Sequence, residues 1–93
     1  MNLVYTERAL ADIDLAIEWY EGQRKGLGQY FLDCLEVGIL QIIKSPEIYG
    51  IKYSFIRTAP IRRFPYTIYY AIEPSQIVVH AVFHNRLDPA KRP

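Results

Sequence analysis

At Pro46 the hydrophobic rhythm of this chain changes, and that change limits the fold more than any other feature of the sequence. Before it, apolar residues return every three or four positions, the repeat of one helix face. After it, short runs rich in aromatic and β-branched residues take over, the pattern of strands. Proline disfavours helix in the residue before it, so Ser45-Pro46 marks a stop between two regimes.

Residues 2–5 read as a short first strand, and Thr6 and Glu7 suit the start of a helix, one as cap and the other at the positive end of the dipole. Leu10, Ile13, Ile17 and Tyr20 then form one helical stripe, which Gly22 is expected to end. Gly26 and Gly28 bracket the next start. From there to Ser45, Phe31, Leu35, Ile39 and Ile42 make a second stripe, thickened by Leu32, Leu40 and Ile43. The short join between the two predicts an antiparallel helical hairpin. Residues 55–61, 64–72 and 77–83 read as strands, with turn chemistry at Glu73-Pro74-Ser75-Gln76 between the last two. Pro60 predicts a bend, a bulge or an edge in the first of them. Tyr66, Ile68, Tyr70 and Ile72 should share one sheet face, and Thr67, Tyr69 and Ala71 the other. The fold class is therefore α+β, one domain over residues 1–93. An N-terminal short strand and helical hairpin pack on one face of a mainly antiparallel sheet, in the order β-α-α-β-β-β.

With 51% hydrophobic residues in 93, a packed core is expected and disorder is not. The single cysteine, Cys34, excludes an internal disulfide and a cysteine zinc cage, and its place in an apolar stripe predicts a core thiol. Neither a membrane-length apolar run nor an export signal is present, so the cytoplasm is the expected compartment. Net charge is +1, but residues 1–50 carry four basic groups against eight acidic ones and residues 51–93 seven against two, so −4 stands against +5. A cationic half attracts phosphates or an acidic protein.

Set in this order, the elements resemble the RelE/ParE toxin superfamily, nearer its ParE branch of plasmid-stabilisation toxins, over nearly the whole chain. The likeness rests on Ala9, Asp12-Ile13, Ile17 and Tyr20 in the first helix, and on Gly28, Phe31, Leu35, Ser45-Pro46 and Tyr49 in and after the second. Its most specific parts are RRFPYTIYYAI (62–72) and IVVHAVFHNRLDP (77–89), with a Phe-Pro-Tyr element, a histidine ending the last strand and an Arg-x-Asp-Pro tail. The resemblance implies the toxin half of a type II toxin–antitoxin pair. A cognate antitoxin whose helical segment wraps it is the implied partner, in a homodimer or a heterotetramer. It also implies one of two activities: poisoning DNA gyrase, as ParE-like members do, or metal-free cutting of mRNA on the ribosome, as RelE-like members do. A non-toxic binding module of the same fold is the third reading.

Metal-free RNA cleavage needs a base, an acid and cations to hold phosphorane-like charge. His84, Arg63 and Arg86 are the candidate catalytic residues if the chain is a ribonuclease, because imidazole has an ordinary pKa of ~6.5 and guanidinium forks phosphate. Arg57, Arg62, Arg63, Arg86, Lys91 and Arg92 are the candidates for binding a target or its phosphates, and Tyr69 for stacking a base. Arg62 and Arg63 are neighbours, so in an extended segment they point to opposite faces and at most one should reach a shared site. His80 and His84 are expected on one strand face, but no third ligand has suggestive spacing. Neither a metal nor a cofactor is therefore expected. The last strand offers alanine, valines and phenylalanine where a nuclease face would need cations, which favours the binding, gyrase-poisoning branch.

Overall fold

The computed structural model describes residues 1–86, in the order β1 (Asn2–Tyr5), α1 (Glu7–Gln23), α2 (Leu27–Lys44), β2 (Ile51–Tyr53), β3 (Ile56–Pro60), β4 (Tyr66–Ile72) and β5 (Gln76–His84). The strands form one sheet ordered β1-β5-β4-β3-β2, antiparallel except for β1, which runs parallel to β5 at the edge. This is the expected α+β arrangement with one strand more. β2 is three residues, all exposed, too short and too open to leave a periodic mark.

Thr6 caps α1 as read: its side chain accepts from the Ala9 N–H. Gly22 does not end that helix, which runs on to Gln23 and closes with Arg24 in extended conformation. The Glu21 carboxylate then reaches across the turn and accepts from the N–H groups of Gly26 and Gly28, satisfying donors that α2 leaves open at its start. Gly26 takes φ 90°, where a glycine is needed. At Gly28 an added Cβ would lie 2.8 Å from the Ile17 carbonyl oxygen, so the helices touch backbone to backbone there.

The core lies between the hairpin and one face of the sheet. Phe31, Leu35, Ile39 and Ile42 of α2 are buried against Ile68, Tyr70, Ile77, Val79 and Val82, together with Ala9, Ile13 and Ala16 of α1. Each large apolar side chain fully enclosed there contributes roughly 1.5–3 kcal/mol. The α2 stripe is as read except at its margins, where Leu40 and Ile43 face solvent; Leu10, read into the α1 stripe, is exposed too. Cys34 is half-buried, packed on the core rather than sealed in it.

Two details change how the sheet presents its side chains. Tyr69 pairs with Ala81 but Tyr70 pairs with Val79, so His80 is an extra residue in β5. Val79 and Val82 consequently both face the helices, and Ala81 falls on the opposite face with Ile56, Tyr69 and Ala71. Beyond the bulge the pairing is regular from Ala81 to His84, so the break in alternation is confined to His80. Pro60 ends β3 beyond its pairing with β2, so its missing N–H removes no ladder bond there.

Candidate functional site

β1 pairs only with Gln76–Val79, so the second half of β5 is an open edge. The start of α1 closes part of it. Thr6 donates its N–H to the Val79 carbonyl (3.0 Å) and its hydroxyl to the His80 carbonyl (3.1 Å). Further along α1, Asp12 accepts the Val82 N–H at 3.1 Å and stands 3.9 Å from Arg8. Burial holds the Asp12 carboxyl above the ordinary carboxylate range, with the Val82 N–H and Arg8 opposing it. From Asp12 onward, α1 and the end of β5 border a groove of about 490 Å³.

Leu15 and Trp19 wall this groove, four residues apart on α1 and 66% and 61% exposed, facing Tyr66, His84 and Arg86. The His84 ring lies edge-on to Tyr66 at 5.1 Å, and its Nδ1 accepts the Arg86 N–H at 3.0 Å, which leaves the ring proton of the neutral form on Nε2. Burial, then Tyr20 and Asp12, push the Tyr66 hydroxyl pKa upward, so it stays a neutral donor at physiological pH. The result is an apolar trough with a polar end. Its Trp19 is out of phase with the core stripe of α1, and that phase error was the signal available in the sequence for a residue left to meet something else.

The other candidates lie elsewhere. Arg57 is engaged: its guanidinium donates to the Tyr49 carbonyl at 2.7 Å and to the Glu47 carbonyl at 3.4 Å, tying down the loop after α2. Tyr69 is buried on the face away from the helices, with no surface for stacking a base. Arg62 and Arg63 sit in the turn between β3 and β4, not in a strand, and Arg63 has φ 75°. That left-handed backbone, costing about 1–2 kcal/mol for a residue with a Cβ, brings both arginines to the lining of one cavity. The expectation that only one of them reaches a shared site is corrected accordingly. The cavity, about 350 Å³, is bounded otherwise by α2, Tyr49 and Pro60. Lys91 and Arg92 lie outside the described residues.

Of the three residues a ribonuclease would draw on, His84 and Arg86 therefore line one groove and Arg63 another. Among the described residues, no group of three or more histidine, cysteine, aspartate or glutamate side chains gathers as a metal site, and no helix is long and apolar enough to cross a membrane.

Comparison with known proteins gives a family. A family model described as the ParE toxin of type II toxin–antitoxin system, parDE, matches residues 3–89. Among solved structures, one described as the chromosomal ParDE TA system from P. aeruginosa superposes with a TM-score of 0.69 at 18% identity, covering 90% of this chain and 95% of that one; the likeness is one of fold. No curated protein matches.

Proposed function

The chain belongs to the ParE toxins of type II toxin–antitoxin systems, and from that premise we propose that it acts by gripping and poisoning a protein target, DNA gyrase, rather than by cutting RNA. The observation that carries this reading is the dispersal of its cations. Arg57 is engaged by loop carbonyls, Arg62 and Arg63 border a cavity on α2, and Arg86 stands in the apolar groove on α1. In-line attack on a phosphodiester needs base, acid and charge stabilisation around one phosphate, and the described part of the chain spreads them over two separate hollows.

The groove between α1 and the open edge of β5 is proposed as the seat of a cognate antitoxin. Exposed Leu15 and Trp19 supply the apolar anchor, and the unpaired end of β5 supplies backbone partners. The cytoplasm is the compartment in which such a pair operates.

A RelE-like mRNA interferase is the second reading, favoured by His84 and Arg86 sharing one groove. The two are separated by adding purified protein to translating ribosomes. Intact mRNA supports target binding; codon-specific cleavage that disappears in His84→Ala establishes the nuclease instead. Growth arrest on induction without the antitoxin, relieved when it is co-expressed, separates both from a non-toxic binding module.

A further inference from the structure

The cavity between α2 and the β3–β4 turn lies apart from the α1–β5 groove proposed for the antitoxin. At about 350 Å³ it is large enough for one or two side chains of a ligand. Its base is apolar, made by Cys34, Val37 and Gly38 of α2, which lies close on the sheet: a Cβ at Gly38 would come within 3.2 Å of Ile68 Cδ1. Gln41 and Tyr49 add neutral polar groups, and Arg62 and Arg63 supply two positive charges. No carboxylate lines the cavity, and among the described residues neither guanidinium has a hydrogen-bond or ion-pair partner. The positive φ of Arg63 is what aims consecutive side chains at one hollow, and strain of this kind persists where the surroundings enforce it, most often at sites of binding.

We propose that this cavity docks an acidic peptide segment of a partner protein, with a carboxylate held by Arg62 and Arg63 and an adjacent apolar side chain on the Cys34–Gly38 base. Guanidinium matches carboxylate as a planar fork, and the pair here has no competing acid. A nucleic-acid phosphate would use the cations but leave the apolar base uncovered, so the mixed lining favours the peptide. Residues 51–72 carry Lys52, Arg57, Arg62 and Arg63 and no acidic residue, a local excess that favours an acidic segment at this turn.

The full-length protein is titrated calorimetrically with the capped peptide acetyl-Leu-Glu-Leu-Glu-Leu-amide, its glutamine counterpart, and a short oligothymidylate. Labelling of Cys34, the one cysteine of the chain, by N-ethylmaleimide is followed in parallel. The glutamate peptide is expected to bind, to slow Cys34 labelling, and to lose about tenfold or more in affinity when its glutamates become glutamine or in Arg62→Gln and Arg63→Gly. Arg63→Gly is the variant that guards against misfolding. Glycine is relaxed at this backbone angle, so its melting temperature should not fall. Absence of binding, equal affinity for the glutamine peptide, unslowed labelling, or full affinity in Arg63→Gly overturns the proposal. So does oligothymidylate binding that the arginine variants abolish and the peptide does not displace, which would assign the cavity to phosphate.

Discussion

Replacing Gly28 with alanine should loosen the helical hairpin that carries the groove, and the effect can be worked from the contact between the helices. The new Cβ would stand 2.8 Å from the Ile17 carbonyl oxygen and 3.1 Å from both Cβ and Oε1 of Glu21. The carbonyl belongs to the backbone of α1 and cannot yield without moving the helix. The Glu21 carboxylate would also be pushed off the Gly26 and Gly28 N–H groups it now caps. Overpacking of this kind costs about 1–3 kcal/mol. Alanine's better helix propensity returns up to about 1 kcal/mol. The net expectation is destabilisation by about 1–2 kcal/mol, or roughly 5–15 °C in melting temperature for a domain of this length. Gly22→Ala is the internal control, because a Cβ there meets nothing within 4 Å and the helix propensity acts alone, raising stability by up to about 1 kcal/mol. Thermal unfolding followed by circular dichroism reads both. A Gly28→Ala protein that melts at or above the wild-type temperature would refute the close backbone contact.

Three further outcomes are expected. Asp12→Asn should leave the protein at least as stable as wild type at pH 7, since the amide oxygen still accepts the Val82 N–H and the buried charge is gone. The folded-state pKa of Asp12 is raised, so its stabilising contribution is complete below the ordinary value of 3.8 and is lost as pH rises through the folded value; urea titrations across that window should show the loss in wild type and not in the variant. Tyr70→Phe removes the 2.6 Å bond from its hydroxyl to the Pro46 carbonyl, which pins the exit of α2 to β4; a destabilisation of about 1–2 kcal/mol in urea is expected. Trp19→Ala should leave folding unchanged, because the ring is mostly exposed, while weakening antitoxin binding by about 2 kcal/mol, roughly 30-fold in Kd by calorimetry.

How far the sequence could be read depended on whether a feature is local. The switch at Pro46, the Thr6 cap and the Phe31–Ile42 stripe are properties of short segments, and each is visible in residue spacing. The His80 bulge is not. Residues Ile77–His84 are apolar apart from the two histidines, so no alternation in the sequence marks the extra residue, which exists only relative to β4. The parallel docking of β1 is likewise a pairing decided across the whole chain. The joint placement of Arg62 and Arg63 was hidden for a different reason: a left-handed arginine carries no residue signature of the kind glycine gives. Arg57 was legible as a cation but not as an engaged one, because its acceptors are backbone carbonyls, which sequence does not rank. Trp19 was the legible residue left unread, as a large aromatic placed off its helix's buried stripe.

The central claim is that this toxin disables a protein and does not cut RNA. The most direct test is a supercoiling assay with purified DNA gyrase, relaxed plasmid and ATP, to which the full-length chain is added alone and then with its antitoxin. The account predicts loss of supercoiling that deepens with toxin concentration and is restored by the antitoxin. Undiminished supercoiling in the presence of saturating folded toxin would contradict it.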